Sequence, residues 1–209
     1  MAQKIRIFRL THYKNLPFIL TNGIHCANSK IKDPDFIPIG AQRLIESRSL
    51  TPIKPLPNRV LNDYVPFYFC PKSPMLYVLS KGSVSGVECT QEDLVYLASS
   101  VERIAEYPLD FVFTDRHAVL AYAKFFQQTE DLSQLNWDAI RSDQWGDRYD
   151  STRAVRELKQ AEFLVFQHVP MDCIEGMICQ TEKTSTFVAA YLAAAKCKIP
   201  CVIKPNYFF

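Results

Sequence analysis

A chain of 209 residues, 48% hydrophobic and 22% charged, can build one sizeable core but is too short for two full catalytic domains joined by a linker. With 24 Lys+Arg against 22 Asp+Glu the formal charge is +2, which excludes a generally basic nucleic-acid-binding surface; any anionic partner has to be gripped locally. The seven cysteines form no CxxC pair and have no histidine at zinc-ligand spacing, and no signal-peptide pattern or long apolar run occurs, so the expectation is a cytoplasmic protein with reduced thiols and no metal or membrane span.

Ile5, Ile7, Phe8 and Leu10 predict a first strand that runs to Thr11 and His12. A short helix follows, with Asn15 as its cap, Pro17 in its first turn, Phe18, Ile19 and Leu20 as its apolar face and Gly23 at its end. From Lys30 to Arg59 five prolines flank one helix-compatible stretch, Gly40 to Ser47, and so long a punctuated connection in a small domain reads as a functional loop. In the block from Asp63 to Tyr77, Val65, Phe67 and Phe69 alternate with Tyr64, Pro66 and Tyr68 as a strand would, while Pro66, lacking a donor, calls for an edge or a bulge. Further strands are predicted at 94–98, 111–113, 163–166, 177–179 and 201–203, and helices at 118–126, 132–141 and 184–196. The elements do not alternate regularly and no Gly-rich phosphate loop occurs, which points to an α+β domain and not to a dinucleotide-binding or P-loop fold.

Three constellations stand out, each with a bland alternative. Arg9, Thr11 and His12 end the first strand, where polar groups also satisfy the strand's own backbone. Tyr64, Tyr68 and Met75 lie in a Pro-bounded segment, where aromatics are usually core. Glu162 directly precedes the apolar run Phe163-Leu164-Val165-Phe166, and pattern alone favours a solvated charge at a strand start. Arg141, Arg148, Arg153, Arg156 and Lys159, interleaved with Asp143, Asp147, Asp150 and Glu157, read as a solvated, self-paired segment. No GxSxG elbow or flanked nucleophilic cysteine is present.

The strings IFRLTHYKNLPFIL (7–20), NGIHCANS (22–29), NDYVPFYFCPKSPMLY (62–77), FVFTDRHA (111–118) and KQAEFLV (159–165) together resemble, in order and over nearly the whole chain, the DNA ADP-ribosyltransferase toxins of the DarT family. The resemblance implies a single domain over 1–209 with the ADP-ribosyltransferase fold of the poly-ADP-ribose polymerases, an α+β arrangement of central mixed β-sheets with peripheral helices. It implies NAD as co-substrate, with no metal, and a base in single-stranded DNA as acceptor. The partner it implies is the macrodomain antitoxin DarG, which reverses the modification.

Residue by residue, Glu162 falls at the family's catalytic glutamate, and Arg48 at the arginine that contacts NAD and assists deprotonation of the base. Arg9, Leu10, Thr11, Asn28 and Tyr68 fall at NAD-contacting positions, and Met75, His117, Arg153 and Arg156 on the DNA side. The NAD-binding loop would span about 30–59 and the substrate-recognition loop about 117–161. One departure bears on the acceptor: thymidine-modifying members read IYHITH where this chain reads IFRLTH, and Arg9 with the HCANS turn resembles the branch that targets guanine, so guanine is the expected base. The chemistry suits these groups. A carboxylate beside the ribose stabilises the positive charge that develops as the nicotinamide bond breaks. An arginine, protonated below about pH 12, is a poor base, which assigns the acceptor's proton to Glu162 or to water and leaves Arg48 to clamp the phosphates.

Overall fold

The computed structural model describes residues 4–82, 89–143 and 155–209. Along the chain the strands are β1 (Arg6–His12), β2 (Ile24–His25), β3 (Pro52–Ile53), β4 (Leu56–Val60), β5 (Tyr64–Tyr68), β6 (Leu94–Ser100), β7 (Phe111–Thr114), β8 (Phe125–Phe126), β9 (Glu162–Phe166), β10 (His168–Val169), β11 (Gly176–Cys179) and β12 (Cys201–Ile203). The helices used below are α1 (Leu16–Asn22), α2 (Gln42–Leu50), α3 (Pro74–Ser80), α4 (Val101–Ala105), α5 (Trp137–Arg141) and α6 (Glu182–Ala194). Eight strands form one sheet in the order β12-β11-β6-β1-β5-β9-β7-β8, all antiparallel except the β11–β12 pair. This is the α+β arrangement expected.

The feature that makes a site is the junction of β1 and β5. On its other edge β1 pairs with β6 over all seven of its residues, from Arg6↔Ser100 to His12↔Leu94. With β5 it shares only Phe8↔Tyr68. Beyond that point the two strands diverge, and the sheet opens between its halves. Pro66 sits in the gap: it pairs with Leu164 on the β9 side, while its carbonyl faces β1 and accepts from Arg9 Nη1 at 3.0 Å. The proline therefore occupies a local edge inside the sheet, where its missing N–H would have found no partner.

Most of the core lies in one large cluster that includes Ile7, Val65, Phe67, Val95, Leu97, Phe113, Phe163 and Val165. Two smaller clusters lie on either side of the opening, one with Phe8, Leu10, Leu76, Leu94 and Tyr96, the other with Ile53, Leu61, Tyr64, Val112 and Leu164. The large cluster runs across the split, from β6 and β1 to β5, β9 and β7, and joins the two halves of the sheet.

Local chemistry fixes the ends of the helices. Ser73 caps α3 by accepting from the Leu76 N–H, with Pro74 in the first turn; Ser100 caps α4 and Thr181 caps α6 in the same way. Asn15 is a correction: its side chain makes no cap for α1. Buried at 1% exposure, it donates to Thr11 Oγ1 and the Ile37 carbonyl and accepts from the Ile37 N–H, so it staples the following loop to β1. The predicted helix at 118–126 is also replaced, by turns closed by Leu120 N–H to His117 O and Ala123 N–H to Leu120 O, leading into β8. Only the end of the predicted 132–141 helix is α-helical, as α5, after a 3-10 turn at Thr129–Gln134.

Gly23 ends α1 at φ +75 and ψ −168, a conformation open essentially to glycine alone. A Cβ there would stand 2.3 Å from His168 Nε2 and 2.7 Å from the Val169 carbonyl. We expect Gly23→Ala to destabilise the fold by roughly 3 kcal/mol, from the sum of backbone strain and overpacking. In thermal melts this corresponds to a Tm drop of about 6–12 °C.

Candidate active site

A cavity of about 460 Å³ opens where β1 and β5 part, within the range of small-molecule sites. β1 contributes Arg9, Leu10 and Thr11 to its walls, β5 contributes Tyr64, Pro66 and Tyr68, and Arg48, Met75, His117 and Glu162 come from four further segments. Residues between Ile31 and Ile45 complete the rim, so the Pro-punctuated connection does border the cavity.

Glu162 opens β9, its Cα opposite Tyr68 on β5. It is fully buried, which corrects the reading of a solvated charge. Its Oε2 accepts from Arg48 Nη1 at 2.8 Å, its Oε1 from the Ala118 N–H at 3.1 Å, and its own N–H donates to Thr114 Oγ1 at 3.1 Å. A buried carboxylate is tolerable only with such partners. Arg48 reaches it from α2, which buries none of its own side chains. Beyond this ion pair, Asn62 ties the helix down by donating to the Ile45 carbonyl at 3.1 Å. Arg48 Nη2 is buried with no acceptor among the described residues. That donor is left for a bound oxyanion or carbonyl, since an orphaned buried N–H is costly.

Burial and then the charge of Arg48 lower the Arg9 guanidinium to about 10, so it stays cationic at neutral pH. Tyr68 is pushed up from the ordinary tyrosine value, first by burial and then by Glu162; it stays a neutral phenol facing the carboxylate. His117 accepts the Val119 N–H on Nδ1 at 3.3 Å, which places the proton of its neutral ring on Nε2 as a donor. Burial lowers the His117 value, against the opposing pull of Glu162. The sign for stability follows. As pH falls below about 6.5 the unfolded chain takes up a proton that folded His117 refuses, so stability is lost until the pH passes the lowered folded value. We expect the wild-type Tm to fall between about pH 7 and pH 5, and His117→Gln to lessen that fall, as measured by melts across the range.

Of the remaining sequence candidates, Asn28 does not line the cavity: it is exposed, and its amide donates to Asp63 Oδ1 at 2.7 Å. Arg156 is exposed and also off the cavity lining, while Arg153 falls outside the described residues. Lys159, read as part of a solvated segment, is 3% exposed. Its ammonium donates to the carbonyls of Ile140 and Ser142 and to Cys70 Sγ, tying α5 to the end of β5. Sequence reasoning missed Asn15, Thr114 and Ala118, which position the loop and the glutamate. The backbone donor of Ala118 leaves no trace in residue type. Among the described residues no group of three or more His, Cys, Asp or Glu could hold a metal, all seven cysteines are free, and no helix is long and apolar enough to cross a membrane.

Residues 8–209 match the family model described as "ssDNA thymidine ADP-ribosyltransferase, DarT". A DNA ADP-ribosyl transferase of Thermus sp. (strain 2.9) is 39% identical over 186 residues, covering 89% of this chain and 86% of that protein. Among solved structures, Thermus sp. 2.9 DarT in complex with ADP-ribosylated ssDNA superimposes with a TM-score of 0.90 at 35% identity, over 99% of this chain and 97% of that one. The same protein in complex with NAD+ gives 0.84 at 34% identity, over 100% and 99%.

Proposed function

This chain belongs to the DarT family of DNA ADP-ribosyltransferases, and from that membership we propose that it breaks the nicotinamide–ribose bond of NAD and transfers ADP-ribose to thymine in single-stranded DNA. The observation that carries the reading is Glu162, fully buried at the cavity wall and fixed between Arg48 and the Ala118 N–H. The whole of 1–209 acts as one catalytic domain, with the loop at about 30–59 closing on NAD and the segment at about 117–161, of which 144–154 lie outside the described residues, serving the DNA side.

Glu162 holds the ribose and offsets the positive charge that grows on it as the bonding electron pair leaves with nicotinamide. Arg9 and Thr11 fix the leaving group, with Tyr68 as its neutral face. The free Nη2 of Arg48 donates to a phosphate or to a carbonyl of the acceptor base. The base nitrogen then bonds to the ribose carbon, and its proton goes to Glu162 or through water, since a guanidinium has no lone pair to receive it. His117, with its Nε2 proton, and Met75 flank the incoming base.

The guanine expectation rests on Arg9 together with the HCANS turn. In the fold one Arg9 nitrogen, Nη1, donates to the Pro66 carbonyl in the sheet gap, a role that serves the sheet whatever the acceptor base is. The matching family description names thymidine. On that description we take thymine as the acceptor. Paired oligonucleotides, one lacking thymine and one lacking guanine, test the assignment with mass detection: only the strand that retains thymine gains ADP-ribose, and modification confined to the guanine-containing strand overturns it. We further place the chain in the bacterial cytoplasm as the toxin half of a pair, blocking replication and opposed by the macrodomain antitoxin DarG.

A further inference from the structure

The turn after Glu162's backbone partner carries a feature that the transfer chemistry does not use. Tyr122 is 53% exposed, although it lies only four residues beyond Ala118, whose N–H holds the Glu162 carboxylate. Chain length limits the Ala118–Tyr122 Cα separation to about 14 Å.

This aromatic is held rigidly. Lys54 Nζ donates to the carbonyls on both sides of it, Ala121 and Ala123, the latter at 2.8 Å. The Ala123 N–H closes on Leu120 O at 2.9 Å, and Asp115 Oδ1 accepts the Lys124 N–H at 2.9 Å. The ring is backed by Arg116, whose guanidinium carbon lies 5.2 Å from the ring centroid and which is itself oriented by Asp115 Oδ2 at 3.0 Å. The phenol oxygen donates to Glu157 Oε2 at 2.7 Å. Among the described residues Lys54, Arg116 and Lys124 supply three cations at the turn beside the two acids Asp115 and Glu157. A half-exposed aromatic on a pinned turn, with a cation behind it and local positive charge around it, combines the two elements by which proteins hold single strands: base stacking and phosphate attraction.

We propose that Tyr122, backed by Arg116, is the stacking platform for the nucleotide next to the target base. This rests on the reading of single-stranded DNA as acceptor. The wild-type enzyme is therefore assayed first, with NAD and an oligonucleotide containing one target base; if it modifies no DNA, the acceptor reading fails and the platform falls with it.

Given wild-type transfer, Tyr122→Ala raises the KM for the oligonucleotide roughly 10-fold or more, with kcat and the KM for NAD within about twofold. Tyr122→Phe and Tyr122→Trp, which lose the bond to Glu157 but keep the ring, stay near wild type. Replacing one neighbouring nucleotide by an abasic residue raises the wild-type KM by a similar factor and costs Tyr122→Ala nothing further, because ring and base then account for the same interaction. An unchanged KM for Tyr122→Ala, an equal loss in Tyr122→Phe, or penalties that multiply for both neighbouring positions would each overturn the platform.

Discussion

Glu162→Gln removes DNA modification, with kcat expected to fall about 10³-fold or more. The side chain keeps its shape, so the loss isolates charge from packing. The carboxylate accepts on both oxygens, from Arg48 Nη1 and from the Ala118 N–H. An amide has one acceptor oxygen and presents its NH₂ to the second donor, so one of these bonds is replaced by donor facing donor. The developing charge on the ribose then meets a neutral group that is misoriented as well. Folding is weakened too, because Arg48 loses its counter-charge, but less than by stranding the carboxylate: the Arg48 side chain keeps 15% exposure, whereas Glu162 has none. The check is a single-turnover assay beside a thermal melt. Transfer above about one-tenth of the wild-type rate in a folded variant would remove the Glu162 charge from the mechanism.

Arg48 variants give the second large effect, for a different physical reason. The arginine neutralises a carboxylate that has no solvent exposure, and its removal leaves that charge uncompensated, at a cost of about 3–5 kcal/mol. It also ties down α2, which buries no side chain of its own, so the helix loses one of its few anchors. We expect Arg48→Ala to lower kcat/KM about 10²- to 10³-fold and to raise the KM for NAD. Arg48→Lys restores the charge but presents a point ammonium in place of a fork, so it cannot serve Glu162 and the ligand facing Nη2 in the same geometry. Its expected loss is intermediate, about 10- to 100-fold in kcat/KM. Steady-state kinetics of the two variants separate these contributions; equal losses for Ala and Lys would show that the forked geometry, and not the charge, carries the effect.

What the sequence made legible was local. The alternation in β1, the donor missing at Pro66 and the need for glycine at position 23 are each written in one or two residues, and the structure answers each. What it hid was non-local. Glu162 looked solvated because its partner Arg48 is 114 positions away and its other partner is a backbone N–H. Lys159 looked like surface charge because its three acceptors, two carbonyls and a thiol, cannot be read from charge patterning. The apolar spacing at 118–126 mimicked a helix, but the Phe113↔Phe126 and Thr114↔Phe125 pairs take the end of that segment into the sheet. Arg48, Met75 and His117 share no local pattern with Glu162; the split between β1 and β5 is what makes them neighbours in one cavity. Their placement in the sequence comes from the family resemblance, and Asn28 and Arg156 are positions where that carry-over and the cavity part company.

We propose that the gap in the sheet houses an NAD-dependent transfer to a base of single-stranded DNA, driven by Glu162. Its most direct test is the intact mass of a thymine-containing oligonucleotide after incubation with NAD and the wild-type chain, alongside Glu162→Gln. The predicted result is a product heavier by one ADP-ribosyl unit, formed only with NAD present and absent with the variant; an unmodified oligonucleotide with the folded wild-type chain, or equal product from the variant, would contradict it.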